Sequence, residues 1–484
     1  MLFNSIEFLI FLPIVFFCYW FVFKNNLKAQ NVFVILASYL FYGWWDWRFL
    51  FLIFLSTVLD FYVGQEIYKN IDNQNKAKRW LWLSMLFNLG MLGYFKYCNF
   101  FVDSFIEMFQ LFGYSMNSTW TLRIILPVGI SFYTFQTMSY SFDIYYKKLK
   151  PTTDFIAFTA FVSFFPQLVA GPIERASNLL SQITNKRSFN YKQASDGLKL
   201  ILWGFFKKLV IADALAPIVD DIFANYQAYP ASTLILGVCL FSFQVYGDFS
   251  GYTDIAIGTA KLFGVELMSN FKFPNFSRNV AEYWQRWHIS LSTWFRHYLY
   301  IPMGGSRVGK LKAIRNIAVI FLVSGFWHGA NWTFIFWGAL HALFYIPVYL
   351  LGRNRMYADN VVGEKTWLPT PLELLQLFTT FVLVTFSRIF FRSPSITDSF
   401  KYINQIITNF SYKPYMHPMG YRMLDFYVLV LIFTVYEYII RRNEREPFKF
   451  KSRFVRFSFY TIIVMAILLF YDDGVNRSFI YFQF

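Results

Sequence analysis

Residues 317–350 form a run that is almost wholly apolar. The run is longer than the roughly 20 residues with which a helix crosses a bilayer, so we predict one complete span and part of a second. His328 lies inside this run, next to Trp327. An ionisable side chain at membrane depth is costly and usually faces the bundle interior or a water-filled cavity. His328 is therefore either a functional group that exchanges a proton near neutral pH or a neutral histidine that packs between helices.

The rest of the 484-residue chain has the composition of an integral membrane protein. Hydrophobic residues make up 56% of it, aromatic residues 23% and charged residues only 15%, which is too little polar surface to cover a soluble globule. We predict an all-α, polytopic membrane protein with about eleven transmembrane or re-entrant helices. The net charge of +16 comes from short Lys and Arg clusters between apolar runs, and such clusters orient helices in a membrane. This distribution argues against nucleic-acid binding.

The basic clusters also predict the orientation of the chain. The first span, residues 6–23, lacks the basic leading segment and the cleavage site of a secretory signal, so we expect it to be retained. Basic residues follow it at Lys24 and Lys28, and again in the loop 69–79. Because positively charged loops stay in the cytoplasm, the N-terminus and the turn around Asp46 should be outside.

Three further places between residues 127 and 208 bear on the helices. Pro127 should break a helix that lies inside the bundle. Glu174 and Arg175 follow a Gly-Pro turn and are interpreted as a solvated loop pair. Lys207 and Lys208 are interpreted as side chains that extend to the membrane surface from an interfacial helix.

A further polar group falls in the run 232–267. Gln244, Asp248, Tyr252 and Asp254 crowd a segment that also holds two glycines. They suggest the wall of a polar cavity or helix-capping groups at a break, and capping is the simpler interpretation of Asp248. An acid pair for glycosidic chemistry has little support, because the sequence does not give the distance between the two carboxylates.

Two more histidines lie in the stretch 270–305, whose mixed composition suits short amphipathic helices. His288 and His297 are nine residues apart, on opposite faces of any continuous helix, and cannot form an i,i+4 metal pair. The cysteines all lie in apolar runs, which argues against a zinc site, so we expect no metal. The basic loop 307–315 either contacts the phosphates of a nucleotide cofactor or only orients the helices.

Several windows of the chain resemble signature segments of a known family. They are residues 166–173, 248–254, 284–292 with its continuation to 302, and 325–329. In this order they are similar to the membrane-bound O-acyltransferase family, and in particular to its bacterial branch of alginate and peptidoglycan O-acetylation proteins. The chain departs from the family pattern at His297, where Asp is frequent, and at Gln285, where a second Arg is frequent.

The resemblance implies one acyltransferase domain over residues 1–484, built as a helical funnel around a central tunnel. It would have N-terminal helices in 1–121, a catalytic core in 122–350 and C-terminal helices in 351–484. The acyl donor would be cytoplasmic acetyl-CoA. The partners would be a secreted or membrane-anchored esterase-like acetyltransferase and a polysaccharide acceptor, and the protein would lie among the lipids of the cytoplasmic (inner) membrane.

The resemblance also implies that His328 and His288 are the catalytic residues. A hydroxyl is a weak nucleophile at neutral pH and needs a positioned base such as His328. Asn331, expected on a neighbouring face of the same helix, and Trp332 could hold the carbonyl group or orient the ring. Further candidates for donor binding or tunnel lining are Trp327, Arg286, Ser290, Gln244, Asp248 and Tyr252. His341 and His417 match no motif and are interpreted as structural or interfacial.

Two alternatives stay open at this point. The enzyme could move another acyl group, such as D-alanyl from a carrier protein or a fatty acyl group, to a lipid, a protein or a polymer. A solute transporter, which belongs to a different functional class, could also line its path with polar groups at mid-membrane depth.

Overall fold

The computed structural model describes residues 1–114, 124–169, 171–420, 422–471, 477 and 479–480. Ala170, in the first of the family-like windows, lies outside these residues. The regular structure of the described residues is entirely helical, as the composition predicts. It forms two compact units, Met1–Ala194 with Thr259–Met268 and Ser195–Gly258 with Ser269–Phe484. The single acyltransferase domain over 1–484 stays a prediction.

The first unit is built from α1 to α9. Their bounds are Ile6–Phe17, Leu27–Asp46, Leu50–Lys69, Gln74–Leu92, Cys98–Leu111, Ile130–Tyr145, Phe155–Ser163, Phe165–Leu168 and Ala176–Thr184.

Most of α10 to α20 belongs to the second unit. Their bounds are Tyr191–Phe205, Ala214–Ala224, Ala231–Leu262, Val280–Arg286, Ile289–Phe295, Lys310–His328, Trp332–Leu350, Pro371–Arg392, Ile396–Thr408, Met423–Ile440 and Arg453–Phe470. Short π-helical segments extend several helices: Cys18–Val22, Gly93–Tyr97, Phe206–Asp213 and Arg296–Tyr300.

Within the described ranges, six helical segments are long and apolar enough to cross a membrane. They are Leu27–Lys69, Ala231–Leu262, Trp332–Leu350, Pro371–Arg392, Met423–Ile440 and Arg453–Phe470. In the last of these, large apolar side chains such as Phe457 and Leu469 are exposed, as expected for a lipid-facing helix. The described helices therefore agree with a multi-pass membrane protein, and the number eleven stays a prediction.

A buried acid holds three helices of the first unit together. Asp60 of α3 accepts hydrogen bonds from Ser84 and Asn88 of α4 and from Ser141 of α6. Three donors satisfy the carboxylate where water cannot reach it. The polar segment is buried along α6, as predicted, but Pro127 does not interrupt a helix because α6 begins only at Ile130.

Glu174 corrects the sequence-based interpretation of a solvated loop. It is 1% exposed, and its carboxylate accepts from the backbone N–H of Met268 and from Nδ2 of Asn178. The carboxylate therefore ties the start of α9 to the segment after α12 within the first unit. The sequence pattern did not reveal this role because Met268 lies 94 residues away along the chain.

Lys207 and Lys208 correct a second interpretation, because both are buried rather than directed to the membrane surface. Nζ of Lys207 lies 2.7 Å from Oδ2 of Asp254. Nζ of Lys208 lies 2.6 Å from Oδ1 of Asp248 and 2.8 Å from Oδ1 of Asp213. α12 is continuous around Asp248, so this residue does not cap a helix. Its carboxylate instead neutralises a lysine in a place that water does not reach.

Candidate functional site

His328 lies at the tip of a helical hairpin in the second unit. It is the last residue of α15, and the turn Gly329–Asn331 leads directly into α16. The two helices approach closely at Gly325 and Gly338, where any Cβ atom would overlap a backbone carbonyl oxygen of the other helix. The close approach buries the tip, so His328 is only 2% exposed. The apolar run thus holds the C-terminal part of α15, which begins at Lys310, and the whole of α16, and His328 ends the first of these helices.

Asn331 is not on the helix of His328, so its predicted placement was wrong, and Trp332 also lies beyond the end of that helix. Oδ1 of Asn331 accepts from the backbone N–H of Thr333, and its Nδ2 donates to the carbonyl oxygen of Pro394, both at 3.0 Å. Asn331 is therefore the N-cap of α16, a position that Asn favours because its side chain accepts from an unpaired N–H. Trp332, the first residue of α16, is 52% exposed.

His288 connects α13 to α14 with a backbone in the left-handed region, at φ 45°. This conformation is uncommon for any residue but glycine, and such strain costs roughly 1–3 kcal/mol and concentrates at functional sites. The side chain is completely buried. Its Nδ1 lies 3.1 Å from Oδ1 of Asn270.

Asn270 determines which nitrogen of His288 carries the proton. Its Oδ1 also accepts from the backbone N–H of Ser290 at 3.2 Å and from the Ser290 hydroxyl at 3.0 Å. A backbone N–H can only donate, so the amide atom is the oxygen and Nδ1 of His288 must donate to it. The lone pair is then on Nε2. Burial lowers the pKa of His288 to about 3, so the ring is neutral at physiological pH.

The two predicted histidines share one aromatic pocket. Their ring centroids are 6.2 Å apart. The ring of Trp327 lies 5.7 Å from that of His288 and 5.1 Å from that of His328. Further rings pack edge-on against one histidine or the other: Phe249 on His288, and Trp337 and Phe391 on His328. We call this the histidine pocket.

Asp248 and Tyr252 of α12 reach the same region through the C-terminal residues Phe479 and Ile480. Tyr252 stacks on Phe479 at 4.8 Å, and Phe479 lies 5.4 Å from Phe249, the ring that packs on His288. The backbone N–H of Ile480 donates to Oδ2 of Asp248 at 2.7 Å. This contact of the chain terminus with the pocket region is not apparent from the sequence.

The remaining candidates lie elsewhere in the second unit. Arg286 forms an ion pair of 2.8 Å with the buried Glu282 and donates to the backbone carbonyls of Lys272 and Asn360. Its guanidinium is thus engaged by the polypeptide itself. The amide oxygen of Gln244 is buried and has no hydrogen-bond partner among the described residues. A role for either residue in donor binding stays a prediction.

A cavity beside the histidine pocket was not predicted. Its volume of about 20 Å³ holds about one water molecule. It is lined by Val245, Tyr283, Trp287, Trp337, His341, Val384, Arg388 and Phe391. Trp337 and Phe391 therefore belong to both the cavity and the pocket. The signal for Arg388 was present in the sequence, since it is an ionisable residue inside an apolar helix.

No cluster of metal ligands is found in the part of the chain that the structure describes, where no three His, Cys, Asp or Glu side chains gather. His297, the residue that departs from the family pattern, has Nδ1 at 2.8 Å from the carbonyl oxygen of Thr293. Thr293 precedes His297 by one helical turn, so this contact is local to the helix.

The multi-pass helical fold and the two buried histidines define a class of protein. A sequence model of the membrane-bound O-acyltransferase family matches residues 52–359, which is more than half of the chain. The chain belongs to this family and is an O-acyltransferase of the membrane, as its signature windows indicate.

Named relatives narrow the class further. The chain is 39% identical over 397 residues to the probable alginate O-acetylase of Pseudomonas aeruginosa, covering 82% of this chain and 73% of that protein. It is 34% identical over 441 residues to the peptidoglycan O-acetyltransferase of Helicobacter pylori, covering 84% and 80%. The teichoic acid D-alanyltransferase of Bacillus subtilis is 28% identical over 236 residues, covering 46% and 58%.

Proposed function

We propose that this protein moves an acetyl group from cytoplasmic acetyl-CoA across the membrane for O-acetylation of a cell-surface polysaccharide, with His328 as the general base. The relatives named for alginate and peptidoglycan O-acetylation support the acetyl group and the polymer class. The observation that carries the catalytic assignment is the approach of the His328 and His288 rings to 6.2 Å within one buried pocket.

The proposed chemistry is the transfer of an acyl group from a thioester to a hydroxyl. The hydroxyl oxygen attacks the carbonyl carbon while His328 takes the hydroxyl proton, and a C–O bond forms. The C–S bond then breaks, and the imidazolium returns the proton to the departing thiolate. The products are the ester and the free thiol of CoA.

The position of His328 supports this role. The last turn of a helix favours a cation by about 0.3–1 kcal/mol, because its carbonyl groups point toward the charge. His328 ends α15, so an imidazolium formed during the reaction would be stabilised there. The surrounding aromatic rings restrict water, which would otherwise hydrolyse the thioester.

His288 would act as a hydrogen-bond acceptor rather than as a second base. Asn270 holds its proton on Nδ1, and its low pKa keeps the ring neutral. Nε2 can then accept a hydrogen bond from the attacking hydroxyl or from the departing thiol and hold it beside His328. Binding of this kind orients the reacting groups without adding a charge to the buried pocket.

The immediate acceptor on the outer face would be a secreted or membrane-anchored esterase-like acetyltransferase, which passes the acetyl group to the polysaccharide. The protein would lie in the cytoplasmic membrane with its N-terminus outside. The basic loops between its apolar helices support this orientation.

The test is hydrolysis of radiolabelled acetyl-CoA, or acetyl transfer from it to an added hydroxyl acceptor, by the purified full-length protein in lipid. Loss of a general base typically lowers the rate by about 10²–10⁴-fold, and we expect this for His328→Ala. His417→Ala is the matched control, since His417 is buried in the loop between α18 and α19 and should leave the rate unchanged. Equal activity of His328→Ala and the wild type would refute the assignment.

Transfer of D-alanyl is the second candidate, and the similarity to a teichoic acid D-alanyltransferase favours it. A panel of donors separates the two, because acetyl-CoA should be used and a D-alanyl carrier protein should not. Solute flux without any acyl transfer would instead favour a transporter.

A further inference from the structure

Arg388 of α17 is a buried cation on the wall of the cavity beside the histidine pocket. It is 4% exposed. It donates from one terminal nitrogen to the Tyr283 hydroxyl at 3.1 Å, and its guanidinium lies 5.3 Å from the centre of the Trp287 ring. Among the residues that the structure describes, no carboxylate forms an ion pair with it. A buried charge without a counter-charge is strongly unfavourable.

Other arginines of the second unit show how such a charge is normally neutralised or solvated. Arg278, which is similarly buried, pairs with Glu282 at 3.0 Å. Arg441 donates to four backbone carbonyl oxygens. Arg392, one turn beyond Arg388 on the same helix, pairs with Asp220 at 2.8 Å. Arg388 differs from them because its remaining N–H groups have no acceptor among the described residues.

The cavity offers hydrogen-bond donors. Arg388 contributes N–H groups, and the Tyr283 oxygen accepts from Arg388, which leaves the Tyr283 hydrogen able to point into the cavity. The other lining residues besides His341 have apolar or indole side chains. An indole N–H can donate but not accept.

His341 contributes no acceptor either, because both of its nitrogens are engaged. Nδ1 lies 3.2 Å from the indole nitrogen of Trp284, which can only donate, so the proton of the neutral ring is on Nε2. Nε2 then donates to Oγ of Ser387 at 3.0 Å, and that hydroxyl donates to the carbonyl oxygen of Val384 at 2.7 Å. The side chains that line the cavity therefore present one positive charge and several donors, and the one acceptor among them, the Tyr283 oxygen, is used by Arg388.

We propose that this cavity binds a small monovalent anion of about the size of chloride, held by the guanidinium of Arg388 and the hydroxyl of Tyr283. A volume of about 20 Å³ is sufficient for one water-sized ion. Trp337 and Phe391 also contact His328, so the anion neutralises a charge close to the proposed base. Anion binding itself does not depend on the proposed reaction.

The first test compares the unfolding temperature of the full-length protein in sodium chloride and in sodium gluconate at equal ionic strength. Gluconate is too large for the cavity, so chloride and bromide should give a saturable rise that gluconate does not. We expect Tyr283→Phe to weaken this rise and Arg388→Gln to abolish it. Arg392→Gln, the matched control on the same helix, should retain it. Equal unfolding temperatures of the wild type in chloride and gluconate would overturn the proposal.

The second test needs no variant and therefore stands if Arg388→Gln does not fold. Crystals of the full-length wild-type protein grown or soaked in sodium bromide should show an anomalous peak within hydrogen-bond distance of Arg388. A cavity that contains water and no anomalous peak under these conditions would overturn the proposal.

Discussion

At the scale of single residues, the Asn270 side chain fixes the position and the tautomer of the His288 ring. Its amide oxygen accepts from His288 and twice from Ser290. Asn270→Ala would leave these donors buried without a partner, which costs about 1–3 kcal/mol. We expect the free energy of unfolding, measured with denaturant, to fall by that amount, and acetyl transfer to fall with it. A variant as stable and as active as the wild type would show that Asn270 does not position the ring.

A second residue-scale prediction concerns acid stability. The pKa of His288 is lowered from 6.5 to about 3 in the folded protein. Above pH 6.5 the ring is neutral in both states, but below it the unfolded chain binds a proton that the folded chain does not. The unfolding free energy should therefore fall as the pH decreases from 6.5 toward 3. His288→Gln should reduce this slope in unfolding measurements across that range, and an unchanged slope would contradict the assignment.

At the scale of elements, the hairpin of α15 and α16 depends on its glycines. A methyl group at Gly338 would overlap a carbonyl oxygen of α15, and overpacking of this kind costs about 1–3 kcal/mol. Gly338→Ala should therefore lower both the unfolding temperature and acetyl transfer, because it displaces His328. Gly90→Ala in α4 is the matched control, since a Cβ atom there meets nothing within 4 Å. Equal effects of the two substitutions would refute a close helix contact.

The contact between α12 and the segment Phe206–Asp213 gives a second element-scale prediction. Lys208→Met would leave the buried Asp248 and the half-buried Asp213 without their counter-charge, which costs roughly 3–5 kcal/mol. Lys199→Met is the control, because Lys199 pairs with Asp196 near the surface and such pairs contribute about 0–1 kcal/mol. Denaturant unfolding should separate the two variants clearly. A loss for Lys208→Met no larger than that of the control would contradict a structural role for the buried pair.

At the scale of the whole molecule, transfer across a membrane requires a defined orientation. We expect the turn around Asp46 outside and the segment between α1 and α2 in the cytoplasm. In a variant without native cysteines, Trp47→Cys should react with a membrane-impermeant maleimide in intact cells. Asn26→Cys should react only after permeabilisation. Both positions are exposed, so the reverse pattern would contradict the orientation.

The lengths of the apolar runs and the ordered windows around His288 and His328 were sufficient to predict a helical membrane protein and its family. Both are local signals, because composition and spacing over about 20 residues decide whether a segment can cross a bilayer. The same signals singled out both histidines as site residues. They were not used to predict that His328 ends a helix, although Gly329 and the N-capping Asn331 are residue types common at a helix end and a helix start.

The sequence by itself determined the helical membrane class, the acyltransferase family and the two histidines of the candidate site. Only the tertiary structure decided which groups those histidines and the buried charges meet. In three cases the partner lies far away along the chain: Asn270 contacts His288, Met268 contacts Glu174, and Asp248 contacts Lys208. The physical reason is that a buried polar group needs a hydrogen-bond or charge partner, and the packing of the helices decides which residue lies beside it. The local sequence pattern does not show the identity of that partner.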